Sequence, residues 1–293
     1  MTTLHANEYH ITKELVISLL ESQCSQWAEL PLEPIKSAGT DNALLRLGQN
    51  LVVRLPKIDW ATNSIHKECV WIPQFAKHLN MPLSEPVFEG KADANYPWPW
   101  MIVKWNEGEN PGFEKENEYE TLAVDLAQFI NQLHDITLSD GPSSRRGTSL
   151  SSVDAETRAA IVSLKDEIDV ECITKLWDSL SQLPGWDKKP VWVHGDLLPG
   201  NILIKNHRLS AVIDFSDVGV GDPATDLIIA WSLFNKKSRQ LFREHLHNID
   251  EATWQRGKGR ALSIALIILP YYKNTNPILT TIARNIIRQI LSD

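Results

Sequence analysis

Val193-His194-Gly195-Asp196-Leu197-Leu198-Pro199-Gly200-Asn201-Ile202-Leu203 and Ala211-Val212-Ile213-Asp214-Phe215-Ser216-Asp217 each set a carboxylate just past a short apolar run. Val191 to Val193, Asn201 to Ile204 and Ser210 to Ile213 are β-prone runs separated by polar turns, so they read as short strands. Carboxylates at strand ends, beside Gly and Pro turns, can converge on one point. Asp196, Asn201 and Asp214 together offer a base and hard oxygen donors. Mg²⁺ takes such donors, with phosphate oxygens completing its shell.

The spacing says more than the chemistry. His-Gly-Asp, four residues and then Asn matches the protein-kinase catalytic loop H-R-D-x-x-x-x-N, with Gly195 in place of Arg. Asp214-Phe215-Ser216 stands where those enzymes carry D-F-G. The pattern asks for two upstream parts: a basic residue on a strand after a flexible hairpin, and a Glu on the helix that follows. Arg54 lies in the strand-like Leu51-Val52-Val53-Arg54-Leu55, and Glu68 lies in a segment with helical periodicity over 64–79, interrupted by Pro73. Ser37-Ala38-Gly39-Thr40-Asp41-Asn42, between the strand-like runs 32–35 and 43–47, reads as the hairpin tip.

Outward from these motifs, residues 11–20 have helical spacing, and 85–89 and 100–105 read as strands. Asn106 to Gly112 has the composition of a linker. An α+β chain is therefore expected: a sheet-rich lobe over 1–104, a hinge over 105–110, and a mostly helical lobe over 111–293. In that second lobe, helices are expected over 117–134 and 153–183, a loop over 140–148, and helices again from Pro223 onward.

The chain has 293 residues, with 29 Lys and Arg against 37 Asp and Glu, a net charge of −8. So acidic a chain is a poor reader of phosphate backbones, and no nucleic-acid partner is expected. Cys24, Cys69 and Cys172 lack metal or disulfide spacing and read as buried thiols of a reducing compartment. The start of the chain shows no basic patch followed by an apolar run. The most apolar stretch, 261–269, stops at Pro270 and is far short of the ~20 residues that span a bilayer. A cytoplasmic protein without a membrane partner is expected.

On these residues, and on Gly219-Val220-Gly221-Asp222-Pro223-Ala224-Thr225-Asp226-Leu227, the chain resembles the aminoglycoside phosphotransferase family of antibiotic and small-molecule kinases. The likeness covers roughly 30–293. It implies a bilobal protein-kinase-like fold, with an antiparallel sheet plus helix in the N-lobe and a mostly helical C-lobe. It implies transfer of the γ-phosphoryl of Mg·ATP or Mg·GTP, with two Mg²⁺ ions, to a hydroxyl of a small molecule. By position, Asp196 matches the catalytic Asp, and Asn201 and Asp214 the metal ligands. Arg54 matches the strand lysine that holds phosphates, and Glu68 its ion-pair partner. Ser37, Gly39, Thr40 and Asn42 match the loop over the nucleotide, and Trp105 and Glu107 the hinge beside the purine. His194, Asp222 and Asp226 match supporting positions. Arg54 for Lys, Ser216 for Gly and a single loop glycine are departures from the protein-kinase pattern.

An aminoglycoside-type acceptor leads, since the negative charge suits a cation. A macrolide or a metabolite hydroxyl is the alternative. A nucleotide-binding pseudokinase is the alternative of another class, and the complete set Asp196, Asn201 and Asp214 argues against it. A Mg-dependent hydrolase would leave Arg54 and Glu68 without a purpose. Elsewhere the plainer readings are preferred. Asp217 reads as a solvated or supporting carboxylate and Arg145-Arg146 as a solvated pair rather than a phosphate grip. Trp98, Trp100 and Trp105 read as packing, and His134 as a partner of its helix dipole. Glu167, Asp169 and Glu171 read as a solvated helix face.

Overall fold

The computed structural model describes residues 8–35, 39, 41–113 and 118–293. Strands β1 (Leu32–Pro34), β2 (Asn42–Leu47), β3 (Leu51–Pro56), β4 (Pro86–Gly90) and β5 (Trp100–Lys104) form one antiparallel sheet in the order β1-β2-β3-β5-β4. Its register pairs Leu44 with Arg54 and Arg54 with Met101.

The two-residue period of the pleat sorts this sheet into two faces. Leu45, Leu47, Val53, Leu55, Trp100 and Ile102 point to one side and pack on Val16, Leu19 and Leu20 of helix α1 (Lys13–Gln23). Burying each of those three side chains is worth roughly 1.5–3 kcal/mol. That holds a helix of 11 residues that would be marginal alone. Thr12 caps it by accepting from the Leu15 amide. Val52, Met101 and Val103 point to the other side and pack on Ile65 of helix α2 (Thr62–Phe75). Arg54 shares this second face, which is how the pleat delivers a guanidinium to the hairpin of Asp214.

Helix α3 (Glu120–His134) opens the second part. The helical stretch expected over 153–183 is two helices, α4 (Asp154–Ser163) and α5 (Val170–Ser181). The charged 165–169 run divides them, and Asp169 ends it by capping the Cys172 amide at 3.0 Å. Asp169 is thus a helix cap rather than part of a bare acidic face. Glu167 is paired with Lys273 and Arg284. Short helix α6 (Ile229–Ser232), α7 (Lys236–His245), α8 (Glu251–Tyr272) and α9 (Pro277–Leu291) complete the lobe. Helix α8 does not stop at Pro270 but carries it in its last turn, where the missing N–H costs a single bond. No described helix is long and apolar enough to cross a membrane. All three cysteines are free, but only Cys24 is buried; Cys172 sits exposed in the first turn of α5.

The two carboxylate-bearing motifs lie on two small ladders. Strand β6 (Val191–Val193) pairs antiparallel with β9 (Gly219–Gly221), and β7 (Ile202–Lys205) with β8 (Arg208–Val212).

Candidate active site

The turn after β6 is held from beneath. Asp226, fully buried, accepts from the His194 and Gly195 amides at 3.1 and 3.0 Å, and its Oδ2 meets His134 Nε2 at 3.1 Å. His134 is therefore part of this brace, not merely a helix-end charge. His194 is buried too. Its Nε2 donates to the Ile213 carbonyl at 3.0 Å, so Nδ1 is left to accept from the Asp196 amide at 3.2 Å. One imidazole thus ties the two carboxylate-bearing hairpins together. Gly195 has φ +86°, and a Cβ there would lie 2.5 Å from the Asp217 carbonyl. Only glycine fits, which explains its presence where the protein-kinase pattern has Arg.

Asn201 follows at the end of a short helical turn. Its Nδ2 donates to the Asp196 carbonyl at 2.7 Å and to Asp196 Oδ2 at 3.1 Å. Asn110, in the stretch read as a linker, clamps this turn by donating to the carbonyls of Gly200 and Ile202 at 3.0 and 2.8 Å. Nothing in its composition distinguishes it from a solvated linker residue.

Asp214 adopts φ +60°, in the left-handed region that Asp tolerates better than most residues. The positive φ falls on Asp214 and not on Ser216, so a Ser in place of Gly there carries no strain. Arg54 bridges the sheet to this hairpin, with Nη1 on Glu68 Oε2 and Nη2 on Asp214 Oδ1, both at 2.9 Å. Asn42, with its amide oxygen turned toward the guanidinium, accepts from Arg54 Nε and Nη2 at 3.3 and 3.2 Å. Burial would raise the Asp214 carboxyl, but Arg54 and hydrogen bonds from Ser216 outweigh it and hold the group below its ordinary value. Burial wins at Glu68, whose carboxyl is pushed up to about 7 against the pull of Arg54. Its Oε1 is buried without a hydrogen-bond partner. Burial likewise raises Asp196, against the pull of Arg146.

The Arg145-Arg146 loop is the main departure from expectation. It is not merely a solvated pair: Arg145 stays exposed, but both side chains are held in ion pairs. Gly219 and Gly221 of β9 have no side chain, and the backbone of 142–147 lies directly on them. The Ser144 amide donates to the Val220 carbonyl and the Val220 amide to the Pro142 carbonyl. The Asp222 amide reaches the Gly147 carbonyl, and Thr225 Oγ1 the Arg146 carbonyl. So held, Arg146 Nη1 bonds Asp196 Oδ1 and its Nε lies 3.3 Å from Asp217 Oδ2. Arg145 grips Asp217 through Nε and Nη2 at 3.1 and 3.0 Å. Asp217 is correspondingly buried rather than solvated, and the two arginines hold its carboxyl below the ordinary range despite burial. Asp222 caps the turn that follows β9 by accepting from the Ala224 amide, and takes both Nε and Nη2 of Arg256 on α8.

The remaining candidates are less convergent. Trp105 and Glu107 bond each other, Trp105 Nε1 donating to Glu107 Oε1 at 2.7 Å, while Arg46 stacks 3.6 Å over the Trp105 ring. The Glu107 carbonyl already accepts from Ser210. Trp105 packs beside Ile35, Leu44, Val52 and Val103, an apolar patch on the Arg54 face of the sheet. Trp98 and Trp100 serve packing, on Tyr9 and Tyr96 and on Phe88 respectively. Gly39 is exposed, and Ser37 and Thr40 lie outside the described residues.

Comparison with known proteins agrees with this geometry. The model of the phosphotransferase enzyme family matches residues 32–260. The uncharacterized protein YcbJ of Bacillus subtilis (strain 168) is 25% identical over 192 residues; the matched region is 62% of this chain and 59% of that protein's length. Among solved structures, the GDP and kanamycin complex of APH(2'')-IIIa superposes with a TM-score of 0.75 at 16% identity, covering 96% of this chain and 99% of that one. The macrolide 2'-phosphotransferase MphH from Brachybacterium faecium superposes with a TM-score of 0.62 at 18% identity, covering 94% and 98%. The fold is therefore the α+β kinase-like fold of these proteins. With the family model running through the sheet, the hairpins of Asp196 and Asp214 and into α8, the chain belongs to the phosphotransferase enzyme family.

Proposed function

We propose that the protein transfers the γ-phosphoryl of Mg·ATP or Mg·GTP to a hydroxyl of a small molecule. The observation that carries this reading is that Arg54 bonds Asp214 across the chain, Asn201 bonds Asp196, and His194 ties the two hairpins that bear these carboxylates. In the reaction, the acceptor oxygen bonds to the γ-phosphorus, the bond from that phosphorus to the bridging β-oxygen breaks, and the acceptor proton passes to Asp196. The products are a phosphate monoester and a nucleoside diphosphate. The raised Asp196 carboxyl is the more able to take a proton, as a general base should be.

The donor set fits magnesium. Asp214 and the Asn201 amide oxygen are hard ligands, and among the described residues no group of three His, Cys, Asp or Glu forms a cage of its own. Few protein ligands, with substrate phosphates completing the shell, is the arrangement magnesium favours. Bound there, the ion would neutralise phosphate charge. Arg54 would turn from Asp214 toward the phosphates, with Glu68 retaining it, and the apolar patch around Val52 and Trp105 would receive the base.

An aminoglycoside-type acceptor is supported by the kanamycin named for the APH(2'')-IIIa complex and by the −8 net charge, and a macrolide by the activity named for MphH. The arginines beside Asp196 weigh against a polycation. The bond from Arg146 to Asp196 is the one observation that suits a nucleotide-binding protein without turnover. Nucleoside-diphosphate release decides, measured with Mg²⁺ and ATP or GTP against pools of cationic, neutral and anionic hydroxyl compounds. Acceptor-dependent release by the wild type, reduced ~10²–10⁴-fold in Asp196→Asn with nucleotide affinity retained, supports the reading. Equal release by the variant removes Asp196 from the role of base.

A further inference from the structure

We infer that the acceptor carries an anionic group, a carboxylate or a phosphate, which Arg145 and Arg146 receive beside Asp196; this rests on the phosphotransferase reading above. Both oxygens of Asp196 are engaged, Oδ1 by Arg146 and Oδ2 by Asn201. A carboxylate oxygen can accept a second bond, but a hydroxyl that comes to Asp196 crowds the partner it approaches, and Asn201 is also committed to the Asp196 carbonyl. Arg146 is the partner that yields. Its side chain is only 27% exposed, so once turned from Asp196 it is a largely desolvated cation that keeps only Asp217, which Arg145 also holds, and can take a second partner. An oxyanion on the acceptor supplies one. An ammonium in the same place would add to the charge instead of balancing it.

The surroundings add further cations. The Arg145 side chain is 76% exposed at the mouth of the site while two of its nitrogens are held on Asp217, so its guanidinium is pre-positioned and open to solvent. Lys67 of α2 lies within electrostatic reach of both Asp217 and Arg145. Behind the loop, Arg146, Arg256 and Arg260 line one small hollow in which Asp222 is the only carboxylate. Arg260 is bonded there to the Thr148 carbonyl, without a carboxylate of its own. Planar guanidiniums held in place match a carboxylate or phosphate in a bidentate manner. The net charge of the whole chain is negative, but around Asp196 the carboxylates of Asp196, Asp214 and Asp217 are met by Arg145, Arg146 and Lys67.

The test is calorimetric titration of protein saturated with Mg·AMP-PNP, using D-gluconate, glucose 6-phosphate, glucose and kanamycin as probes. An anionic probe is expected to bind at least ~10-fold more tightly than glucose, and the tighter of the two anions identifies the group. Arg145→Gln is expected to abolish that margin while the Kd for Mg·AMP-PNP stays within ~3-fold, and Arg145→Lys to keep part of it. The exposure of Arg145 lets these variants fold, which thermal melting verifies. Kanamycin binding as tightly as the anions, no margin over glucose, or a margin that survives Arg145→Gln overturns the inference. So does a loss that falls on the nucleotide instead, which would give the arginines to its phosphates. Absence of Mg-dependent AMP-PNP binding, read before any acceptor is added, would overturn the phosphotransferase reading and this inference with it.

Discussion

Arg54 Nη2 donates to Asp214 Oδ1 at 2.9 Å, joining β3 to a hairpin 160 residues later. The same guanidinium holds Glu68 through its other terminal nitrogen, so two carboxylates compensate one buried cation. A single ammonium cannot reproduce this fork. Arg54→Lys is expected to raise the KM for nucleotide about tenfold while the protein remains folded. Arg54→Ala leaves two carboxylates without their cation and is expected to cost about 3–5 kcal/mol of stability. Steady-state kinetics and urea unfolding check the two; an unchanged KM in Arg54→Lys would show that phosphate holding does not depend on the fork.

Glu68 gives a pH dependence with a definite sign. Its carboxyl is raised from 4.5 to about 7 in the folded state by burial. Between those values the folded protein retains a proton that the unfolded chain has lost, so stability falls as pH rises through this window. Glu68→Gln, which cannot ionise, is expected to flatten that part of the curve. Denaturant midpoints from pH 4.5 to 7.5 test it; equal slopes in wild type and variant would show that Glu68 titrates normally.

Asp214→Asn removes the anionic group proposed to hold magnesium while keeping its shape. Nucleotide binding in the variant is expected to lose most of its Mg²⁺ dependence, with a fall of ~10-fold or more in affinity at saturating Mg²⁺. Titrating a nucleotide at several Mg²⁺ concentrations measures this. A variant that retains the wild-type Mg²⁺ response would remove Asp214 from the metal site.

Gly195→Ala tests the turn itself. Its Cβ would be driven to 2.5 Å from the Asp217 carbonyl at a backbone φ of +86°. A loss of ~2–4 kcal/mol is expected, from left-handed strain and the displacement of Asp217 together. Chemical denaturation gives the value. A cost under about 0.5 kcal/mol would show that the turn can relax.

The fold was legible because its signals are local. Asp196, Asn201 and Asp214 lie within 19 residues, and each follows an apolar run short enough to be a strand. Arg54 and Glu68 were legible because the pleat and the helix that follow have their own periods. The loop at Arg145 and Arg146 was not. Their partners lie 72 and 50 residues further along, and the pairing depends on glycines in β9 whose lack of side chains has no meaning until the loop rests on them. Asn110 was missed for the same reason, since its targets are carbonyls that only the folded turn presents. The break between α4 and α5 turned on one capping bond from Asp169, which an acidic-face reading of the same residue conceals.

Only residues 215–218 separate Asp214 from β9, and β9 is laddered to β6 on one side and pressed against 142–147 on the other. Protein kinases that are switched by phosphorylation rely on a long segment here that can be ordered or released. This chain has no such slack: freeing the stretch would tear out the ladder that carries His194 and Asp196. A covalent mark within 215–218 would therefore have no slack to take up, and a switch of that kind is not built into this stretch.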